Sequence, residues 1–177
     1  MADRIRLIQD RFIAVWGQMG STWGIPRTMA EVHALLYITG EPLCTDDVMG
    51  RLEISRGNAS MSLRALVDWG IVSRAHKRGD RKEYFQGEQD VWSLVQAIVR
   101  ERVKREIHPV AAALYEVREL AGVQGEGQTA LSEHAARLDA MIQLLRTFDQ
   151  LASGLVEAPR EQLALAADAL TKAEEQS

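Results

Sequence analysis

Apolar positions recur at helical spacing along most of the chain, and one short stretch in its first half reads instead as paired strands. From about Asp3 to Met19, the residues Ile5, Ile8, Phe12, Val15, Trp16 and Met19 stand three and four apart, which predicts one helical stripe. Gly17, Gly20 and Gly24 are expected to loosen that helix, and Pro26 to break the chain. A second helix is expected over Arg27 to Thr39 with Met29, Val32, Leu35, Leu36 and Ile38 inward. Thr28 would cap it, with Glu31 completing a capping box, and Gly40 and Pro42 would end it.

Next comes a short helix, with Thr45 as its expected cap and Asp46 and Asp47 at the positive end of its dipole, closing near Leu52. The connection Glu53-Ile54 is tight. Ser55 then caps a helix predicted from Arg56 to Trp69, with Gly70 where a carboxyl-terminal cap belongs. Short helix, tight turn and second helix make a helix-turn-helix. Ala59, Leu63, Leu66 and Val67 form the inward stripe of that second helix, while Gly57, Asn58, Met61, Arg64 and Ala65 point outward. The segment Ile71 to Lys77 is expected to extend as a strand, with Glu83 to Phe85 as its partner and Arg78-Gly79-Asp80-Arg81 as the hairpin between.

The remainder is helical. Val91, Leu94, Val95, Ile98, Val99, Val103 and Ile107 predict a helix over Gln89 to Leu120, kinked or interrupted at Pro109. Gly122 to Gln128 is a flexible turn, and a further helix runs from about Ala130 to Leu151. In it Leu131, Leu138 and Leu145 lie seven apart with Ala135, Met141, Ile142, Leu144 and Phe148 interleaved, a near-heptad pattern suited to helix–helix association. An intrachain helical hairpin is the alternative. Pro159 opens a last short helix through Leu163, Leu165 and Leu170. The fold class is therefore mainly α with a small β-hairpin wing. A winged helix-turn-helix region over residues 1–87 is joined to a helical dimerisation and effector-response region over 88–177, with the first helix open to sharing in the dimer.

Charge sharpens this picture through its distribution. The chain carries a formal −4, yet Arg51 to Gly87 holds eight basic residues against four acidic ones, a local +4 that leaves −8 elsewhere. The basic residues coincide with the second helix of the motif and with the hairpin. A polar outer face with small residues suits a major groove. There Arg and Asn read base edges, and serines at a helix amino terminus hold phosphates. The candidate DNA-binding residues are thus Ser55, Arg56, Asn58, Ser60, Met61 and Arg64 on the recognition helix. On the wing they are Arg74, Lys77, Arg78, Arg81 and Lys82. A solvated amphipathic helix and a hairpin protected by charge explain each part separately; the ordered combination favours nucleic acid. Candidate dimerisation residues are Leu131, Leu138, Met141, Leu145 and Phe148.

Other chemistry is thin. Cys44 is the sole cysteine, which excludes an intrachain disulfide, and reads either as a small buried hydrophobe or as a thiol sensor at a helix start. His33, His76, His108 and His134 show no ligand spacing, so no metal, cofactor or catalytic residue is expected, and no enzyme. The absence of a long apolar run and the mixed charges of Met1 to Arg6 lead to the expectation of a cytoplasmic protein without a membrane span.

Ser55-Arg56-Gly57-Asn58-Ala59-Ser60-Met61-Ser62-Leu63-Arg64-Ala65-Leu66, followed by Asp68-Trp69-Gly70-Ile71-Val72, resembles the GbsR-type branch of the MarR family. So do Gly79 to Phe85, Asp90-Val91-Trp92, Trp16-Gly17 and Gly24-Ile25-Pro26-Arg27. The resemblance spans roughly Arg11 to Leu120. It implies a homodimeric, mostly repressing regulator that binds double-stranded DNA at palindromic operators, and it suggests a small-molecule, osmolyte-related effector. A quaternary ammonium effector would want an aromatic cage, for which Trp16, Trp23, Tyr37, Trp69, Trp92 and Tyr115 are candidates. Two other functions stay open: a winged protein-interaction module without specific DNA readout, and a redox regulator acting through Cys44.

Overall fold

The computed structural model describes residues 1–120, 128–163 and 165. The expected turn from Gly122 lies, up to residue 127, outside the described residues, as does Leu170. The helices are α1 (Ala2–Thr22), α2 (Arg27–Thr39), α3 (Thr45–Leu52), α4 (Arg56–Asp68), α5 (Val91–Arg102), α6 (His108–Leu120) and α7 (Gln128–Glu157). The strands are β1 (Leu43–Cys44), β2 (Val72–Ala75) and β3 (Tyr84–Gly87). The chain forms two compact units, residues 1–94 and residues 95–177. The class is mainly α with a small antiparallel sheet.

In the first unit the core is α2 and what it touches. Val32, Ala34, Leu35 and Leu36 are buried together with Val48 of α3 and Ala59, Leu63 and Leu66 of α4. Burying side chains of this size is worth about 1.5–3 kcal/mol each, which makes α2 the element that positions the helix-turn-helix. The expected stripe on α1 holds only in part: Phe12, Trp16 and Met19 are half-buried, whereas Ile5, Ile8 and Val15 are exposed, and the fully buried residues are Ile13, Gly17 and Gly20. Gly17 and Gly20 do not loosen α1. A Cβ on Gly20 would stand 2.5 Å from the Ala30 Cβ, and one on Gly17 would stand 2.6 Å from the Glu31 Cγ. The two glycines are points of close approach to α2, which a hydrophobic pattern cannot register.

The expected amino-terminal caps of α2 and α3 shift by a residue or more, while that of α4 holds. Pro26 precedes α2 and no side chain caps it; Glu31 instead pairs with Arg27 at 2.7 Å. Thr45 is the first residue of α3 rather than its cap. Cys44 takes the cap position, and its backbone N–H donates to Asp47 Oδ2 at 2.9 Å. Ser55 caps α4 as expected, its Oγ accepting from the Asn58 N–H at 3.3 Å. Gly70 stands in the left-handed region at φ 72.

The sheet has three strands, in the order β1-β3-β2, one more than the expected hairpin. β3 is central, with Leu43 opposite Phe85 and Cys44 opposite Tyr84 on one side, and Val72 opposite Gly87 on the other. Two residues are too few for β1 to show a period of its own. β2 is shorter than the expected Ile71 to Lys77, and β3 starts one residue later than expected and runs on to Gly87, so the wing loop covers residues 76–83. Its turn is closed by the Asp80 N–H donating to the Lys77 carbonyl at 3.1 Å, with Gly79 at φ 87. That φ favours glycine at the third position of a type II turn. The turn therefore centres on Arg78-Gly79 rather than on Gly79-Asp80.

In the second unit Pro109 sits inside the first turn of α6, and the interruption falls just before it, as a π-helical stretch at Val103–Ile107. A proline without an N–H leaves the carbonyl four residues back unbonded and crowds it, and a wider turn relieves both. α7 is longer than expected. Ala135 and Ile142 are its buried apolar residues, with Leu131, Leu138 and Leu145 half-buried on the same stripe. Arg118 on α6 pairs with Asp139 on α7 at 2.7 Å, and His108 with Asp149 at 3.0 Å. These contacts make α6 and α7 an intrachain helical hairpin.

Candidate nucleic-acid interface

α4 is anchored by Ala59, Ser62, Leu63 and Leu66, which turns Gly57, Asn58, Met61 and Arg64 outward. Met61 is 61% exposed, unusual for a methionine on a helix packed this tightly. Ser60 and Ala65 are half-buried. Asn58, Met61 and Ala65 share a shallow hollow with Pro26 and Thr28, so the start of α2 borders the outer face of α4. Sequence periodicity within one helix gives no sign of that neighbour.

The basic residues divide into paired and unpaired sets. Arg56, the first residue of α4, pairs with Asp46 Oδ1, and Lys82 of the wing pairs with Asp46 Oδ2 at 3.3 Å. Arg74 on β2 pairs with Glu83 at 3.1 Å. The Lys77 ammonium lies 4.4 Å from the centre of the Tyr84 ring, within cation–π range. Arg64, Arg78 and Arg81 are exposed and form no ion pair among the described residues. The local positive charge is thus partly neutralised by Asp46 and Glu83. What remains free sits at the middle of α4 and the tip of the wing.

Two carboxylates organise this surface, and sequence reasoning assigned neither that role. Asp46 joins the start of α4 to the wing; Arg56 and then Lys82, each hydrogen-bonded to it, hold its carboxyl below the usual carboxylate range. Asp80 accepts from the Tyr84 hydroxyl at 2.7 Å and from the Lys82 N–H at 2.9 Å. The hydrogen bond from the hydroxyl pushes the Tyr84 phenol up to about 12. Asp80 therefore folds the wing loop back onto β3. The one available signal was the doubled Asp46-Asp47: a single carboxylate suffices to cap a helix, and Asp47 takes that task.

The remaining candidates lie apart from this surface. Cys44, in β1 opposite Tyr84, is 3% exposed and withdrawn from solvent oxidants. Trp16 and Tyr37 pack with Phe12 and with His33, with ring centres 5.6 to 6.3 Å apart, and Trp69 is buried. These rings fill one another's space rather than framing an open cage. In the second unit Met141 and Phe148 are exposed on α7 beside Leu144 and Leu151, whereas Leu131, Leu138 and Leu145 turn partly toward α6. Among the described residues no helix is long and apolar enough to cross a membrane, and no cluster of ligand side chains could hold a metal.

No protein-family model matches the chain. It is similar to two helix-turn-helix transcriptional repressors of Bacillus subtilis. It is 24% identical to GbsR over 131 residues, covering 74% of this chain and 69% of that protein. It is 23% identical to OpcR over 90 residues, covering 51% and 49%. The chain thus spans about half the length of OpcR. Its fold is similar to that of a transcriptional regulator of known crystal structure, with a TM-score of 0.56 at 22% identity over 84% of this chain and 95% of that one. In motif order and fold the chain is similar to helix-turn-helix transcriptional regulators, GbsR and OpcR among them.

Proposed function

We propose that the chain is a sequence-specific DNA-binding transcriptional regulator that works as a homodimer. The observation that carries this reading is the placement of its unpaired cations. Arg64 stands on the outer face of a capped, well-anchored helix, and Arg78 and Arg81 stand at the tip of the adjoining wing. The helix would enter a major groove and read bases through Arg64 and Asn58, with Met61 in apolar contact. Ser55, Arg56 and Ser60 would hold phosphates beside it, and Arg74, Lys77, Arg78, Arg81 and Lys82 would contact the backbone or the neighbouring minor groove. Exposed Met141, Leu144, Phe148 and Leu151 on α7 supply an apolar face for a second copy. In a dimer two such helices reach successive major grooves about one turn apart, and the site is then palindromic. GbsR and OpcR are repressors, and repression, with release by a small molecule, is the sense of regulation proposed here.

The test is selection of genomic fragments by the purified protein, followed by titration of the enriched duplex against a random one. A palindrome bound at least a hundredfold more tightly than random duplex supports the proposal. The rival is a protein-interaction module, favoured by the neutralisation of Arg56, Lys82 and Arg74. It predicts no duplex binding even at low salt.

A further inference from the structure

Asp46 bridges two cations of the candidate surface. It lies at the second position of α3, and its two oxygens each take a cation from a different part of the candidate surface: Arg56 from the start of α4 and Lys82 from the wing. Capping of α3 does not need it, because Asp47 already accepts the Cys44 N–H. Its side chain is 48% exposed, and those of Arg56 and Lys82 are 67% and 55% exposed. Water screens exposed pairs of this kind, so they add too little to brace the fold. They are cheap to exchange for a backbone phosphate, which offers the same charge on a similar pair of acceptor oxygens. The exchange still has a cost, since the displaced carboxylate stays near the incoming anion. Arg64, by contrast, carries no such partner.

We propose that Asp46 is a built-in competitor for phosphate, which holds Arg56 and Lys82 in reserve and lowers the affinity of this surface for DNA of any sequence. The inference rests on the DNA-binding reading above. Its consequence is specificity: weaker backbone contacts lower non-specific binding, while base reading through Arg64 is untouched, so discrimination widens.

The experiment titrates the full-length protein with a random-sequence duplex across a range of salt concentrations. Wild type is compared with Asp46→Asn, Asp46→Ser and Asp68→Asn. Asp68 is an exposed acid at the far end of α4, about 18 Å from Arg56 at ~1.5 Å per residue. It matches the change in net charge without touching the pair. Asparagine and serine are both favourable near a helix start, so agreement between the two Asp46 variants separates charge from folding. Both are expected to bind random duplex roughly threefold or more tighter, with a salt slope steeper by about 0.9 per added phosphate contact. Asp68→Asn should leave both unchanged. Equal or weaker binding by the Asp46 variants, or an equal gain from Asp68→Asn, overturns the proposal while the DNA reading stands. If wild type and variants all fail to bind at low salt, the DNA reading falls and this proposal with it.

Discussion

Gly20 of α1 lies directly against Ala30 of α2, so closely that a Cβ on the glycine would come within 2.5 Å of the alanine Cβ. The neighbouring glycine differs in a way that matters: a Cβ on Gly17 would meet the Glu31 Cγ, part of a long flexible side chain, at 2.6 Å. Replacing a helical glycine by alanine gains about 1 kcal/mol in propensity, and overpacking a rigid contact costs about 1–3 kcal/mol. Gly20→Ala, whose rigid contact puts it toward the costly end, should therefore destabilise the protein by a net of up to about 2 kcal/mol. Gly17→Ala should be close to neutral. Urea unfolding monitored by circular dichroism checks both, and equal effects would refute the close approach of the two helices.

His33 should make stability fall in mild acid. It is buried against Trp16 and Tyr37, and burial lowers its pKa from 6.5 to about 4. The folded value lies below the unfolded one, so its contribution is complete above pH 6.5 and declines as the pH falls toward 4. Linkage gives a loss of about 2 kcal/mol between pH 7 and pH 5 from this group. His33→Phe should flatten that part of the profile, measured as the urea midpoint at the two pH values.

Arg64 and Arg81 should separate reading from holding. Arg64→Ala is expected to lose about 1–3 kcal/mol of preference for the selected site at one base position. Arg81→Ala should weaken selected and random duplexes alike and reduce the salt slope by about 0.9. Unchanged discrimination in Arg64→Ala would place the reading face elsewhere.

The wing loop depends on one phenol. Tyr84→Phe removes the donor to Asp80, a tether of the loop at residues 76–83 to β3, and keeps the ring under Lys77. Trypsin should then cut at Lys77, Arg78, Arg81 or Lys82 several-fold faster than in wild type, with the thermal midpoint little changed.

On α7, Phe148 is 53% exposed beside Leu144 and Leu151. A charge there would have to be buried unpaired in a dimer, which is costly. Phe148→Glu should shift the mass measured by light scattering from dimer to monomer. By comparison, Leu138→Ala, on the half-buried stripe facing α6, should lower stability more than it changes mass.

The sequence alone determined the order of elements and the helix-turn-helix with its wing, because those features follow from short-range rules. Apolar spacing set α2 and α4, Ser55 set the start of α4, and the strand-forming residues on either side of Gly79 set the hairpin. Which face of α1 is buried, however, depends on where α2 lies, and its points of closest approach are glycines with no hydrophobic signal. The third strand is two residues long and exists only through pairing with β3. The leucine heptad of α7 was legible as a stripe, but the stripe does not name its partner, and α6 supplies one within the chain. Charge was the least legible property. A count of lysines and arginines against acids came to +4 over Arg51 to Gly87, whereas tertiary structure brings Asp46 to Arg56 and Lys82 across 10 and 36 residues of sequence. Coulomb energy depends on distance in space, so only the fold decided which cations remain free for DNA.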